Sequence, residues 1–271
     1  MNLRLLTALF KKDKLIVILG PTAVGKTALS LSLAKKYDTE IISGDSMLVY
    51  KGFDIGAAKP SATELAEVKH HLIDILPPSA KYNVMDFCEA AADIIKALNN
   101  TGKIPILAGG TGLYVKSLLE GYEFSEDGSK STSSYFNATG ELAYDALVIG
   151  LKRERAALYD RINMRVDLMV ENGLFDEVEA LAKTGLSDSQ AMRGIGYKEA
   201  LSYIYGDITK KDAIEEIKKA TRHFAKRQFT WYKKMPYIKW IDLDNLSDKD
   251  VLTIACSEVE KYFGNQKNSR F

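Results

Sequence analysis

The octapeptide Gly20–Thr27, with the sequence GPTAVGKT, constrains the fold most strongly because it directly follows the apolar run Leu15–Leu19. Its pattern, G-x-x-x-x-G-K-[ST], is typical of a phosphate-binding loop between a strand and a helix. Backbone N–H groups of such a loop surround phosphate oxygens, Lys26 reaches the same oxygens, and the Thr27 hydroxyl is offered to Mg²⁺. The positive end of the following helix adds to the attraction. The predicted phosphate site consists of Gly20, Pro21, Thr22, Ala23, Val24, Gly25, Lys26 and Thr27.

Apolar runs alternate with helical patterns through the first part of the chain. The predicted strands are Leu15–Leu19, Glu40–Ile42, His71–Ile75 and Ile104–Leu107, and the predicted helices are Lys26–Lys36, Ser61–Val68 and Asp86–Asn99. Alternation of this kind predicts an α/β fold in which helices flank a mostly parallel sheet. Together with the phosphate-binding loop, it indicates a P-loop NTPase-like core, with a helical C-terminal part.

Three polar loops follow predicted strands, namely Gly20–Thr27, Ser43–Ser46 and Gly109–Tyr114. Ligands of open parallel sheets bind at the carboxyl ends of the strands, so we expect these loops to share one pocket. Asp45 is placed to accept a proton from a nucleophile or to hold a metal, although a helix N-cap is the alternative. Glycines follow Ile104–Ala108, where a typical P-loop ATPase carries a magnesium-binding acid, and they bring the Thr111 hydroxyl towards a substrate.

Composition excludes some classes of protein. A net charge of +1 argues against a uniformly basic nucleic-acid binder, and no apolar run approaches the ~18 residues of a membrane span. Leu5–Phe10 is too short for a secretory signal, so we expect a cytoplasmic protein without a membrane partner. Cys88 and Cys256 lack metal or redox spacing and are expected to be small buried residues.

Positive charge is concentrated between Lys210 and Lys239, where aromatic residues are interleaved with lysines and arginines. Such a mixture suits contacts with phosphates and bases, whereas the plainer alternative is a solvated helix face. For Trp231, the alternative is a packing residue.

Eight blocks of the chain, in order, resemble the tRNA dimethylallyltransferases. They are Gly20–Thr27, Asp45–Pro60, His70–Asp74, Gly109–Tyr114, Tyr159–Met169, Gly173–Leu174, Ala191–Glu199 and Thr221–Trp231. This series covers about Lys14 to Asp242 and is much more specific than the phosphate-binding loop alone. Ala57 is a small departure, since the family often has threonine there.

The resemblance implies transfer of a dimethylallyl group from dimethylallyl diphosphate to the exocyclic amine of the adenosine 3′-adjacent to a tRNA anticodon. Asp45 matches the family's catalytic aspartate, Thr22 and Thr111 match positions near the diphosphate or the target nucleotide, and Arg193 matches a family arginine that faces the diphosphate. The resemblance thus implies Asp45, Thr111 and Arg193 as the catalytic residues. Mg²⁺, held at Thr27, is the implied cofactor, and the anticodon stem-loop is the implied partner of a monomeric enzyme. The implied tRNA-binding residues are Asp45, Ser46, Met47, Leu48, Arg222, Lys226, Arg227, Gln228 and Trp231.

One departure from the family is large, because Gly121–Asp145 stands where the family normally inserts a helical domain that grips the anticodon stem. Polar and small residues dominate 124–134 and predict a flexible linker. We therefore expect a core at 1–122, a shortened linker at 123–145, and the rest of the core with C-terminal helices at 146–271. Alternatives are an adenylate isopentenyltransferase or small-molecule P-loop kinase, and a noncatalytic RNA-binding paralogue.

Overall fold

The computed structural model describes residues 12–125 and 131–264. Its main sheet has six strands, all parallel, in the spatial order β3-β2-β4-β1-β7-β8. The strands are β1 (Lys14–Leu19), β2 (Ile41–Ser43), β3 (His70–His71), β4 (Ile106–Gly109), β7 (Asp145–Lys152) and β8 (Lys239–Asp242). The predicted parallel α/β architecture is confirmed.

Helices cover both faces of this sheet. Ten α-helices lie within the described ranges: α1 (Lys26–Lys36), α2 (Ala62–Glu67), α3 (Val84–Asn100), α4 (Gly112–Glu120), α5 (Tyr135–Thr139), α6 (Arg155–Glu171), α7 (Leu174–Lys183), α8 (Tyr197–Ile204), α9 (Lys210–Tyr232) and α10 (Asp248–Val259). A 3₁₀ turn spans Ala191–Arg193, and a π-helical turn, Glu260–Gly264, follows α10. No helix in the described ranges is long and apolar enough to cross a membrane.

β1 lies at the centre of the molecule. Its side chains alternate between two buried clusters, with Leu15, Val17 and Leu19 on one face of the sheet and Ile16 and Ile18 on the other. A strand covered on both faces needs a continuous apolar run, which is why this segment was recognisable from the sequence. The loop after β1 is therefore held by a strand that is buried on both faces of the sheet.

Two predicted strands differ from the observed ones. His71–Ile75 was predicted, but β3 ends at His71 because Leu72 and Asp74 adopt left-handed backbone conformations, with φ of 61° and 55°. The strand predicted at Ile104–Leu107 is shifted, since pairing with β1 begins at Ile106.

The segment predicted as a linker contains secondary structure. Elements lie on both sides of residues 126–130, and those five residues are outside the described ranges. β5 (Tyr122–Phe124) pairs in an antiparallel manner with β6 (Ser131–Ser134), and α5 follows directly. Backbone hydrogen bonds, which the polar composition did not reveal, define these elements. β7 then pairs with β1, so the second half of the chain completes the same sheet.

Candidate active site

The loops that follow β1, β2 and β4 meet at one edge of the sheet. Gly44 donates its N–H to Ala108 O (2.9 Å), and Thr111 donates its N–H to Gly44 O (3.2 Å). Gly109 approaches so closely that an added Cβ would lie 2.6 Å from Gly44 O. Only glycine permits this contact between two backbones, and the contact fixes the separation of the second and third loops.

The first loop has the backbone of a phosphate cradle. Gly20, Ala23 and Gly25 have φ of 152°, 62° and 121°. Lys26 Nζ donates to the carbonyl oxygens of Gly20 and Pro21, both at 2.9 Å. These internal bonds hold the ammonium group over the loop, where an oxyanion can replace the carbonyl groups as its partner.

The electrostatics of this loop favour an anion. Burial and, to a smaller extent, the positive charge of Arg165 lower the pKa of Lys26 to about 8, against the opposing effect of Asp45. Desolvation lowers the pKa of Arg165 as well. Two cations that each lack an ion pair in the described part of the chain are thus held in a poorly solvated place. A diphosphate would relieve this cost.

Asp45 projects into the space between the loops. Its Oδ1 accepts the N–H of Met47 (2.9 Å), whereas Oδ2 has no hydrogen-bond donor among the described residues. A Cβ built on Gly110 would lie 3.7 Å from Asp45 Oδ2 and 3.8 Å from Lys26 Nζ. The free carboxylate oxygen and the cationic end of the phosphate loop therefore face the same point, which is the arrangement expected for a base beside a leaving group.

Thr111 and Ser46 join the second and third loops by their side chains. Thr111 Oγ1 accepts the N–H of Ser46 (3.0 Å) and lies 3.3 Å from Ser46 Oγ. This contact holds the start of the Asp45 loop. The structure thus gives Thr111 a positioning contact, and its predicted role at the reacting groups remains a prediction.

Gln228, predicted to bind tRNA, is 5% exposed and lies inside the protein. Its Oε1 accepts the N–H of Thr22 (2.9 Å), and its Nε2 donates to Gly110 O (2.7 Å). Tyr232 donates a second hydrogen bond to the same carbonyl group (2.8 Å). The observed position makes Gln228 a bridge between the phosphate loop and the Gly110 loop, while a direct RNA contact stays untested.

Two arginines of α6 contact the phosphate loop, and sequence reasoning did not select either. Arg165 Nη1 donates to Thr22 Oγ1 (3.0 Å), and Arg161 Nε donates to Ala23 O (3.0 Å). Their i,i+4 spacing places both on one face of a helix. That spacing was visible in the block Tyr159–Met169, but only the fold shows that this face meets the loop.

Arg193, predicted to be catalytic, lies in the 3₁₀ turn beside the Asp45 loop. A Cβ on neighbouring Gly194 would lie 2.9 Å from Met47 Cε, so the turn packs against this loop. The side chain of Arg193 is exposed and forms no hydrogen bond or ion pair within the described ranges. Leu48 is half-buried, and its carbonyl group accepts the N–H of Asp74 (3.0 Å).

The other predicted RNA-binding residues lie on α9. Lys226 and Arg227 are exposed, and Trp231, which is 39% exposed, packs its ring edge against Gly112 at the start of α4. Arg222 is set apart, because it is half-buried and donates to Asn163 Oδ1 (2.6 Å). Trp231 therefore adjoins the Thr111 loop, and Lys226 and Arg227 share a surface with it on α9, whereas Arg222 has a protein partner.

The oxygen ligands that the protein offers would bind Mg²⁺ only together with a substrate. No group of three or more histidine, cysteine or acidic side chains in the described ranges could hold a metal alone. The Thr27 hydroxyl is exposed at the start of α1, and the carboxylate of Asp45 faces the same loop. Mg²⁺ commonly binds through one or two protein oxygens, waters and substrate phosphates, so these residues fit the ion when a diphosphate is present.

Comparison with known proteins shows the family of this chain. The family model described as "IPP transferase" matches residues 48–137 and 124–235. The chain belongs to the IPP transferase family. A curated tRNA dimethylallyltransferase of Staphylococcus epidermidis is 38% identical over 317 residues, covering 96% of this chain and 96% of the relative.

Two solved structures agree with this assignment to the IPP transferase family. The tRNA delta(2)-isopentenylpyrophosphate transferase of Staphylococcus epidermidis has a TM-score of 0.82 and 37% identity, covering 92% of this chain and all of that one. A eukaryotic dimethylallyltransferase acting on tRNA has a TM-score of 0.79 and 26% identity, covering 93% of this chain and 80% of that one.

The alignments also bear on the shortened segment of this IPP transferase family member. The 317 aligned positions exceed the 271 residues of the chain, so the relative contains residues that this chain lacks. The two family-model matches overlap only at 124–137. This overlap lies within 123–145, the segment predicted to stand in place of the family's helical insertion.

Replacing Gly109 with alanine is expected to lower the free energy of unfolding by about 2 to 3 kcal/mol, because the methyl group would meet backbone atoms that cannot rotate away. Activity should fall as well, since the Asp45 loop must shift. Urea denaturation measures the first effect. Gly264→Ala, which adds a methyl group where no atom lies within 4 Å, is the control, and equal stability of the two variants would contradict the expectation.

Proposed function

We propose that this chain transfers a dimethylallyl group from dimethylallyl diphosphate to the exocyclic amine of the adenosine 3′-adjacent to a tRNA anticodon. The observation that carries the proposal is that Asp45 Oδ2 and Lys26 Nζ both lie close to Gly110, at 3.7 and 3.8 Å from a Cβ built on that residue. Curated relatives named tRNA dimethylallyltransferase support the reaction class. A base that lies close to a diphosphate-binding loop suits the alkylation of an amine, because the base can accept the amine proton while the loop binds the leaving group.

In this proposal the donor diphosphate occupies the loop Gly20–Thr27. Lys26 and Arg165 supply positive charge, and the loop supplies backbone N–H groups. Both cations are held in place before the donor arrives, so little reorganisation accompanies the build-up of charge on the leaving group. Thr27 would hold Mg²⁺, which when bound helps to neutralise the diphosphate.

The acceptor amine needs a base because its lone pair is delocalised into the adenine ring. As the allylic carbon–oxygen bond breaks, its electron pair leaves with the diphosphate, and the amine nitrogen forms the new carbon–nitrogen bond. The amine proton passes to Asp45 Oδ2. Because Met47 N–H holds Oδ1, the free oxygen is kept directed at the substrate.

The target adenosine must leave its stack in the anticodon loop to reach Asp45. Extrusion costs a few kcal/mol, and contacts with flanking nucleotides must offset this cost. Trp231 lies beside the Thr111 loop and offers a stacking surface, and Lys226 and Arg227, on the same surface of α9, offer phosphate contacts. We assign the flanking nucleotides to this face of α9.

The proposal predicts that donor affinity falls at alkaline pH. Lys26 in the free protein has a pKa of about 8, so it is mostly protonated at pH 7 and mostly neutral at pH 9. A diphosphate prefers the protonated form, so the Kd should rise about tenfold for each pH unit above 8. Titration with donor from pH 7 to 10 measures the effect. Lys26→Arg keeps its charge and should lose the dependence, and a flat wild-type profile would reject the role of Lys26.

The double variant Lys226→Ala, Arg227→Ala should bind an anticodon stem-loop about tenfold more weakly, with a logarithmic salt slope smaller by roughly 1.5. Donor binding should stay unchanged, because neither side chain forms a hydrogen bond or ion pair with the phosphate loop among the described residues. The control is Lys211→Ala, Lys249→Ala, which removes the same charge from two exposed positions elsewhere. Equal RNA affinity of the two double variants would remove this face from the RNA site.

The choice of acceptor separates the proposal from its alternatives. Purified protein is incubated with Mg²⁺, labelled dimethylallyl diphosphate, and either unmodified tRNA or AMP. Label in tRNA supports the proposal, and label in AMP alone indicates an adenylate isopentenyltransferase. Transfer of phosphate from ATP would indicate a kinase, and RNA binding without any transfer would indicate a noncatalytic paralogue.

A further inference from the structure

A second basic cavity lies beside the phosphate loop but outside the site described above. Its volume is about 290 Å³. The lining residues are Pro21, Lys152, Arg153, Arg155, Leu158, Tyr159, Ala225, Lys226, Phe229, Thr230 and Lys233. Lys26, Asp45 and Thr111 do not border it, and of its lining residues the proposed function uses only Pro21, in the donor loop, and Lys226, on the RNA-binding face.

The place of this cavity in the fold suits a ligand. It adjoins the carboxyl end of β7, at Lys152, and Pro21, which follows the neighbouring strand β1. The Asp45 loop follows β2, which is separated from β1 by β4. The cavity and Asp45 therefore lie on opposite sides of β1 along the edge where parallel sheets bind ligands.

Most of the positive charge in this cavity is not neutralised by protein carboxylates of the described ranges. Lys152 pairs with Asp242 (3.0 Å), but Arg153, Arg155, Lys226 and Lys233 have no ion-pair partner in the described ranges. The nearest carboxylate in sequence, Glu154, is occupied, because it accepts the N–H groups of two residues in the first turn of α6. Four cations thus share a small concave space.

One of these cations is partly buried without a partner. Arg153 Nε has no hydrogen-bond partner among the described residues, although it is shielded from solvent. Buried donors are normally paired, and an unpaired one costs about 1 to 3 kcal/mol. A ligand oxygen that accepted this hydrogen bond would remove the cost.

The remaining wall is apolar and aromatic. Tyr159 and Phe229 contribute rings, and Arg155 lies over Tyr159 at 5.1 Å while Lys233 lies over Phe229 at 4.6 Å from the ring centroid. Cations beside ring faces combine phosphate binding with a surface for a base or sugar. Inorganic ions alone would not need this wall.

We propose that the cavity is a second phosphate-ester site, which binds a nucleotide phosphate through Arg153, Arg155 and Lys233 and its base or sugar against Tyr159 and Phe229. The phosphate belongs either to a free nucleotide or to the RNA backbone, because both carry the same group. Pro21 belongs to both the cavity wall and the phosphate loop, so the two sites are neighbours.

The test uses the full chain with inorganic diphosphate at the lowest concentration that fills the first site, because an excess would also compete at a second phosphate site. Two probes are titrated separately: AMP by calorimetry, and a fluorescein-labelled anticodon stem-loop RNA by anisotropy. The variant Arg155→Ala, Lys233→Ala removes two exposed cations and leaves Lys226 in place, and Lys211→Ala, Lys249→Ala is the charge-matched control. Each variant is first checked for an unchanged melting temperature.

The expected result is a Kd raised about tenfold or more by the cavity variant, relative to the control, for one of the two probes. A raised Kd for AMP identifies a free nucleotide as the ligand of the cavity. A raised Kd for the stem-loop alone identifies the RNA backbone as the ligand. Identical affinities of cavity variant and control for both probes would overturn the proposal. Because binding is measured without prenyl transfer, this result is independent of the proposed reaction.

Discussion

Replacing Asp45 with asparagine is expected to lower turnover of the prenyl transfer reaction about 100-fold or more, with donor and RNA affinities nearly unchanged. Asparagine keeps an oxygen that can accept the Met47 N–H, so the loop should retain its conformation. What it loses is the basic oxygen that faces Gly110 and Lys26. Single-turnover kinetics with bound donor and stem-loop measure the effect on chemistry alone.

The matched control is Asp207→Asn, which makes the same change at an exposed position in the turn between α8 and α9. It should leave turnover unchanged. If Asp45→Asn also turned over at nearly the wild-type rate, Asp45 would not be the base. If its donor affinity fell as much as its turnover, the carboxylate would act mainly in binding.

Replacing Lys26 with methionine is expected to weaken donor binding about 100-fold. Methionine fills similar space but removes the ammonium group, and hydrogen bonds to charged groups contribute about 1.5 to 3 kcal/mol each, so losing them costs roughly 3 kcal/mol. Calorimetric titration with dimethylallyl diphosphate and Mg²⁺ measures the change.

The control for this prediction lies on the same helix. Lys36→Met removes one positive charge from the exposed last turn of α1 and should leave donor affinity unchanged. A donor Kd for Lys26→Met within threefold of the control would show that the loop does not cradle the diphosphate. Stem-loop binding should be the same in both variants.

The parts of the site that follow buried strands could be predicted from the sequence. A strand covered on both faces leaves a continuous apolar run, and the loop after it begins with glycine, so Gly20–Thr27 and Gly109–Gly112 were recognisable and lie where expected. The loop that contains Asp45 was predicted in the same way, because it follows the buried strand β2. Local pattern sufficed here because each loop is adjacent in sequence to the strand that positions it.

Contacts between distant segments were not predictable. Arg165 reaches Thr22 from α6, and Gln228 reaches Thr22 and Gly110 from α9, across sequence separations of more than one hundred residues. The identity of an arginine or a glutamine does not indicate which distant residue it will contact. Because Gln228 lies in a basic helix, it was predicted to be an RNA-binding surface residue, but it is buried. Likewise, β5 and β6 were missed because backbone pairing, and not apolar side chains, defines them.

The most direct test of the central claim is a nucleoside analysis after the reaction. The protein is incubated with Mg²⁺, dimethylallyl diphosphate and an unmodified anticodon stem-loop, in parallel with a stem-loop that carries inosine in place of the target adenosine and so lacks the exocyclic amine. The account predicts dimethylallyl-adenosine from the first RNA and no product from the second. Equal product from both RNAs, or product only when AMP is the acceptor, would contradict it.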